Sequence, residues 1–171
     1  MRALIMSDSH GWKDEVSMVV KRHEDEVDAF FHCGDSELTA EAKSLENINT
    51  VRGNCDFGND FPEEIIKEVK GFRIFAAHGH LLNVKMNEMN LVYKAEENKA
   101  DIICFGHTHI PIALERAGRI LINPGSMRLP RQVNIGTYVI VEADQTTVDV
   151  AFYSLKGEKQ DYLSKKFPVN Y

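Results

Sequence analysis

The first two thirds of the chain alternate short apolar runs with segments of helical periodicity. Four apolar runs predict buried strands, at residues 3–7, 28–33, 72–77 and 101–105. Residues 12–23 and 86–98 carry apolar side chains at helical spacing, and residues 37–45 are predicted as a further helix. The pattern therefore predicts an α/β fold in which helices cover a sheet of buried strands.

From residue 112 to residue 155 the pattern changes to β-rich segments separated by turn signals. The segments span residues 119–122, 137–141 and 147–152, and no convincing helix lies between them. No linker, low-complexity segment or internal repeat interrupts the sequence. We therefore expect one domain that covers residues 1–171.

The charge balance and the cysteine count exclude several classes of protein. The formal net charge is −6 without any run of lysine or arginine, which argues against a stable nucleic-acid partner but leaves a nucleotide open as a substrate. The apolar N-terminal run is short and no later stretch approaches a membrane span, so we expect a cytoplasmic protein without a membrane partner. Three cysteines without secretory context argue against a disulfide framework.

Potential metal ligands follow strand after strand. They are the carboxylate, imidazole and amide side chains of Asp8, His10, Asp35, Asn54, His78, His107 and His109. Sites in open α/β sheets form beyond the carboxyl ends of strands, so side chains that are distant in sequence can converge there. Residues two apart on an extended segment point to the same side, so we expect His107 and His109 to face one point.

The donor set indicates the kind of site. Imidazole nitrogens mixed with carboxylate and amide oxygens suit borderline-to-hard divalent ions. Seven candidates exceed the needs of one ion, so we predict two ions that share a carboxylate, an arrangement that binds a phosphoryl group and activates water. Simpler interpretations exist for single residues, because Asp8 can cap the following helix and Asn54 and Asp56 are typical turn formers.

Five motifs of the sequence occur together, in one order and at plausible spacing. They are Asp8-Ser9-His10, Gly34-Asp35, Gly53-Asn54-Cys55-Asp56, His78-Gly79-His80 and Gly106-His107-Thr108-His109. As a set they resemble the signature blocks of the calcineurin-like metallophosphoesterases, and the Gly-Asn-Cys-Asp form resembles the small YfcE-type phosphodiesterase branch. The resemblance implies a four-layer α/β/β/α sandwich of two mixed β-sheets flanked by helices. It also implies that the β-rich C-terminal third completes the second sheet.

The resemblance assigns each predicted ligand to one of two ions. It implies that Asp35 bridges the ions, that one ion is held by Asp8, His10 and His109, and that the other is held by Asn54, His78 and His107. The donor types favour Mn²⁺, with Ni²⁺, Fe²⁺ and Zn²⁺ as alternatives. A hydroxide between the ions is the implied nucleophile.

Further assignments concern catalysis and substrate. Asn54 is implied to bind phosphate oxygens, and Asp56 to orient a ligand or a catalytic neighbour. Cys55 stands where most of the family has a histidine that is proposed to protonate the leaving group. A thiol donates a weaker hydrogen bond, so Cys55 either replaces that acid poorly or is a steric replacement only. His80 and Arg128 are predicted to contact the substrate, although a solvated arginine is the simpler interpretation of Arg128.

The predicted function is hydrolysis of a small phosphodiester or nucleotide-like substrate by a binuclear metal-dependent phosphodiesterase. A catalytically weak or inactive scaffold of the same fold is an alternative, although such scaffolds typically lack motif ligands that are all present here. A phosphomonoesterase or a nuclease is another alternative, and the acidic net charge argues against a processive nuclease. A homodimer through an exposed apolar helix face also stays open.

Overall fold

A computed structural model describes residues 1–169, in which eleven strands and two α-helices form. Along the chain they are β1 (Arg2–Met6), α1 (Lys13–His23), β2 (Ala29–His32), β3 (Ile48–Thr50), β4 (Glu64–Val69), β5 (Phe72–Ala77), α2 (Met89–Glu97), β6 (Ile102–Cys104), β7 (Pro111–Arg116), β8 (Arg119–Pro124), β9 (Thr137–Ala143), β10 (Thr147–Ser154) and β11 (Lys165–Pro168). Within this range no helix has the length and apolarity needed to cross a membrane.

The strands form two mixed sheets. The first sheet has the order β11-β10-β9-β1-β2-β3, and the second has the order β4-β5-β6-β8-β7. In the first sheet β1, β2 and β3 run parallel, whereas β9 pairs antiparallel with β1. In the second sheet β5, β6 and β8 run parallel between antiparallel edge strands. Each sheet therefore presents several parallel carboxyl ends at one edge.

Three apolar layers hold the sheets and helices together. Ile5 and Ile74 belong to the cluster between the sheets. Leu4, which precedes Ile5 in β1, packs instead with Val16 of α1 on the outer face of the first sheet. The outer face of the second sheet packs on α2 through Leu91. Both faces of the central strands are buried, which explains their continuous apolar sequence and confirms the four-layer sandwich.

One predicted helix is wrong, and four of the eleven strands, β3, β4, β7 and β11, are not among the predicted strand segments. Within residues 37–45 only Lys43–Leu45 forms a single 3₁₀ turn. The backbone of Glu37 has a φ of 54°, which a right-handed helix cannot contain, and its N–H donates to Asp56 Oδ1 at 2.7 Å. This hydrogen bond to a residue distant in sequence therefore favours a backbone conformation other than the helix that the local pattern predicts. Strand β4 is an edge strand that pairs with β5 alone among the described strands, and its sequence was not recognised because the apolar residues of β4 do not alternate strictly with polar ones.

The β-rich C-terminal third divides between the two sheets, so the prediction that it completes the second sheet is wrong for part of it. Strands β7 and β8 do join the second sheet, beside β6. The chain then returns to the first sheet, where β9 pairs with β1 in the register Leu4↔Ile140. Strands β10 and β11 extend that sheet outward.

Candidate metal centre

The predicted ligands lie in the loops that follow the carboxyl ends of parallel strands in both sheets. Because the two sheets pack face to face, these ends meet at one edge of the sandwich. Strands β1, β2 and β3 of the first sheet lead to Asp8 and His10, Asp35 and Asn54, while β5 and β6 of the second lead to His78, His107 and His109.

The backbone of most of these ligand residues is left-handed. Positive φ angles occur at Asp8 (53°), His10 (43°), Asp35 (54°), His107 (66°) and His109 (63°). Each such non-glycine residue costs roughly 1 kcal/mol, so strain is concentrated at this edge. The expectation that His107 and His109 face one point along an extended segment is wrong. They lie in a loop beyond β6, and their side chains face different neighbours.

A first cluster forms around Asp8. One ligand atom from each of Asp8, His10, Asp35 and His109 lies within 4.8 Å of all the others. His109 Nε2 lies 3.0 Å from Asp8 Oδ1 and 3.4 Å from His10 Nε2. Asp8 is fully buried, and its Oδ1 has no hydrogen-bond partner of acceptable geometry among residues 1–169. A buried carboxylate oxygen without a donor is costly unless a cation sits beside it.

Three of the histidines make contacts through Nδ1, and these contacts determine which ring nitrogen faces the centre. His109 Nδ1 donates to the carbonyl oxygen of Leu129 at 2.8 Å, and His78 Nδ1 donates to that of Cys33 at 2.7 Å. His10 Nδ1 faces a carboxylate oxygen of Glu37 at 2.5 Å. In the neutral form of each ring, the proton on Nδ1 leaves the lone pair of Nε2 directed inward, where it can bind a cation; without a cation, Nε2 of His78 can instead carry a proton toward Asp35. Bare nitrogens that converge with carboxylate oxygens repel one another, so this donor set fits divalent metal ions.

A second cluster forms around His78. Its Nε2 lies 3.3 Å from Asp35 Oδ2 and 3.2 Å from Asn54 Oδ1. The ring of His107 lies 5.0 Å from the ring of His78, centroid to centroid. Asp35 belongs to both clusters, which is the position expected of a bridging carboxylate. The structure thus brings all seven predicted ligands to one edge, and their assignment to two ions stays a prediction.

The electrostatics of the centre keep Asp35 ionised. Burial raises the pKa of Asp35, but the hydrogen bond and charge of His78 and the amide of Cys55 outweigh it and hold this pKa well below its usual range. Burial lowers the pKa of His78, and the contacts with Asp35 and Asp8 reverse this to a net rise. Burial, followed by the charge of His78, lowers the pKa of His107 to about 4. His107 is therefore a neutral ring, able to bind a cation at neutral pH.

The Gly-Asn-Cys-Asp motif places Asn54 and Cys55 at the open side of the second cluster. The Asn54 side chain is exposed, and its Nδ2 donates to Cys55 Sγ at 3.2 Å. The backbone N–H of Cys55 donates to Asp35 Oδ1 at 2.7 Å. Burial and the Asp35 carboxylate raise the pKa of the Cys55 thiol to about 11, so the thiol stays protonated at neutral pH.

Asp56 holds the loops of the centre together. Its carboxylate accepts hydrogen bonds from the backbone N–H groups of Gly53, Asp35 and Glu37 and from the hydroxyl of Ser36. It thereby joins the loop after β2 to the loop after β3. These contacts favour a positioning role, through the backbone of Asp35, over direct participation in catalysis.

We expect Asp56→Ala to lower the free energy of unfolding by about 2 kcal/mol, because it removes the acceptor of several hydrogen bonds at once. Urea unfolding of the metal-free protein measures this change. Asp144→Ala is the matched control, since Asp144 accepts hydrogen bonds from Thr146 and Thr147 in an exposed turn far from the centre. Equal losses for the two variants would contradict the special role of Asp56.

His80 and Arg128, the predicted substrate contacts, lie beside the two clusters. The His80 ring lies 5.3 Å from the ring of His78, centroid to centroid. The Arg128 guanidinium donates to the carbonyl oxygen of His10 and lies 5.6 Å from the centroid of the Trp12 ring. These positions put both side chains within reach of a ligand at the centre, and substrate contact stays a prediction for each.

Two features of this edge were missed by the sequence analysis. The carboxylate of Glu37 contacts a predicted ligand, but residues 37–45 had been assigned to a helix. A cleft of about 250 Å³ lies beside Thr108, the residue that separates the two histidines of the last motif in the sequence. Lys85 and Arg131 contribute positive charge to the lining of this cleft. No sequence motif includes Lys85 or Arg131, and only the assembled loops place them together.

Comparison with known proteins identifies relatives over nearly the whole chain. A family model described as the calcineurin-like phosphoesterase superfamily domain matches residues 1–146. The probable metallophosphoesterase YsnB of Bacillus subtilis is 43% identical over 166 residues, which cover 97% of this chain and 98% of that protein. The phosphodiesterase YfcE of Escherichia coli is 32% identical over 126 residues, which cover 64% of each chain.

The fold has a similarly clear counterpart among solved structures. A crystal structure from Streptococcus pneumoniae, described as a predicted phosphoesterase, superposes with a TM-score of 0.95 at 38% identity. The superposition covers 98% of this chain and 97% of that one.

Proposed function

The chain belongs to the calcineurin-like phosphoesterase superfamily, and from that premise we propose that it hydrolyses small phosphodiesters with two divalent metal ions at this centre. The observation that carries the proposal is the convergence of bare imidazole nitrogens on the carboxylates of Asp8 and Asp35. Two ions in such a site polarise a phosphoryl group and lower the pKa of bound water. Mn²⁺ is the favoured ion for this donor set, with Ni²⁺, Fe²⁺ and Zn²⁺ as alternatives.

Different residues of the chain serve ion binding and binding of the phosphoryl group. The Asp8 cluster would hold one ion and the His78 cluster would hold the other, with Asp35 contributing a carboxylate to both clusters. The exposed amide of Asn54 is free to donate a hydrogen bond to a phosphoryl oxygen, because its Nδ2 otherwise contacts only the weak acceptor Cys55 Sγ among residues 1–169. Such a donor stabilises negative charge that develops on the phosphoryl group.

The surroundings suit a small anionic substrate. Arg128 lies beside the first cluster, and Lys85 and Arg131 line the neighbouring cleft. These cations attract phosphate, although the acidic Glu88 also lines the cleft, and the apolar Val84 and Phe105 offer room for a leaving group. A small phosphodiester or a nucleotide-like molecule matches that volume.

Removal of metal provides the test of this function. We expect metal-stripped protein to leave an activated aryl phosphodiester intact and to regain turnover on addition of Mn²⁺, with the matching monoester hydrolysed more slowly. Initial rates for the two esters with each of the four ions measure the effect. Equal turnover with and without chelator would contradict the proposal, and a faster monoester would reassign the protein as a phosphomonoesterase.

We expect Cys55→His to raise turnover of diesters with poor leaving groups by about 10-fold or more, because an imidazolium protonates the departing aryloxide more readily than a thiol with a raised pKa. Rates for a series of aryl diesters with increasing phenol pKa measure this change. For the best leaving groups the variant and the wild type should agree within a few-fold. Cys55→Ala is the control, and a large loss on good and poor leaving groups alike would show that the thiol itself has a larger role.

A further inference from the structure

Glu37 lies outside the motif ligands, yet its carboxylate contacts one of them directly. Glu37 Oε1 lies 2.5 Å from His10 Nδ1, the ring nitrogen that points away from Asp8 and His109. The His10 side chain is 10% exposed, whereas that of Glu37 is 37% exposed. The contact therefore joins a nearly buried ring to a carboxylate at the rim of the centre.

The main chain fixes Glu37 in this position. The parallel pairing of β1 with β2 continues into the loops, where the N–H of His10 donates to the carbonyl oxygen of Asp35 and the N–H of Gly11 donates to that of Ser36. Glu37 follows directly, with its left-handed backbone held by the hydrogen bond from its N–H to Asp56. Left-handed geometry at a glutamate persists only where the surroundings enforce it.

The contact differs from those of the other histidines. His78 and His109 donate their Nδ1–H groups to backbone carbonyl oxygens, which every residue type provides. His10 alone among these three uses a carboxylate, and a carboxylate holds the Nδ1 proton more strongly and raises the basicity of the opposite nitrogen. The side chain at position 37 therefore matters at this ring, where a backbone group serves at the other two.

We propose that Glu37 is a positioning residue that accepts the Nδ1–H of His10 and keeps His10 Nε2 directed into the metal centre. The inference rests on the proposed function, because ion binding is what gives the orientation of Nε2 its purpose. Hydrogen-bond partners of metal-binding histidines typically raise metal affinity by about 10- to 100-fold. Glu37 thus supports one of the seven predicted ligands, His10, without being a motif ligand itself.

The state of the His10 ring is the first readout, and it needs no metal. Nitrogen-15 NMR of the metal-free wild type should show His10 with its proton on Nδ1 in the neutral ring. In Glu37→Ala the ring should exchange between its two tautomers. The proposal is overturned if the wild-type proton lies on Nε2, or if Glu37→Ala leaves the spectrum of His10 unchanged.

Metal affinity is the second readout. Calorimetric titration with Mn²⁺ should show affinity about 10- to 100-fold weaker in Glu37→Ala, with a smaller loss in Glu37→Gln because the amide oxygen still accepts the Nδ1–H. Glu26→Gln is the matched control, since Glu26 Oε2 contacts His23 Nδ1 at 3.0 Å in the same kind of pair away from the centre. It should bind Mn²⁺ as the wild type does. Wild-type affinity in Glu37→Ala would overturn the proposal.

A double-mutant cycle separates positioning from direct ligation. If Glu37 acts through His10, adding Glu37→Ala to His10→Ala should weaken Mn²⁺ binding no further. Additive losses would make Glu37 an independent ligand and overturn the proposal. Should the wild type bind no divalent ion, the proposed function fails, whereas the His10 spectrum of the metal-free protein still decides the role of Glu37.

Discussion

Replacing Asp35 by asparagine is expected to lower kcat for an aryl phosphodiester by about 1,000-fold or more. The carboxylate is 2% exposed, its Oδ1 accepts the N–H of Cys55, and its Oδ2 faces His78 Nε2. Asparagine preserves the size but removes the negative charge that offsets two cations, and it can turn an NH₂ group toward one of these partners. Steady-state kinetics with saturating Mn²⁺ measure the loss, and the melting temperature shows that the fold survives.

The matched control for this variant is Asp101→Asn. Asp101 directly precedes β6, and its Oδ2 accepts the backbone N–H of Arg73 at 2.8 Å, so it has a comparable hydrogen-bonding role outside the centre. Turnover of this variant should match that of the wild type. An Asp35→Asn protein that retains a tenth or more of wild-type kcat would show that a shared carboxylate is not required.

Replacing Gly106 by alanine is expected to lower the free energy of unfolding by about 3 kcal/mol and to abolish turnover. A Cβ at this position would overlap Ser7 Oγ and lie 2.7 Å from Asp8 Oδ2. Both neighbours are fully buried, and the Gly106 N–H donates to the carbonyl oxygen of His78, so the loop cannot move without displacing two predicted ligands. Urea unfolding together with diester hydrolysis measures the two effects.

Gly118→Ala is the control for the steric argument. Gly118 lies in the turn between β7 and β8, has a φ of +72°, and would place its Cβ in open space, with no atom of a non-adjacent residue among residues 1–169 within 4 Å. This variant should lose about 1 kcal/mol from left-handed strain and keep full turnover. If Gly106→Ala behaved like Gly118→Ala, the close packing of the loop after β6 against Asp8 would not constrain the centre.

The convergence of the candidate ligands could be predicted because most of them follow an apolar run that forms a strand. Asp8 follows β1, Asp35 follows β2 and His78 follows β5, and the rule that sites form at carboxyl ends brought them together correctly. The reason given for His107 and His109 was wrong, since both residues have left-handed backbones outside any strand. Alternation along a strand cannot describe such loops.

Two features could not be predicted from the sequence, because each depends on contacts between residues that are distant along the chain. Glu37 reaches His10 only because the loop after β2 is bonded to the loop after β1 and to Asp56. The return of β9 to the first sheet depends likewise on its pairing with β1, at the opposite end of the chain. Local periodicity identifies a strand but carries no information about its partner.

We propose that two metal ions sharing Asp35 form the catalytic unit. Turnover of an aryl phosphodiester, measured against the number of Mn²⁺ ions bound per chain, tests this proposal, with the ions counted by native mass spectrometry during stepwise loading of metal-stripped protein. We predict that the chain binds two ions and that turnover rises with the second. Full activity with a single bound ion, or two bound ions without turnover of any phosphate ester, would contradict the account.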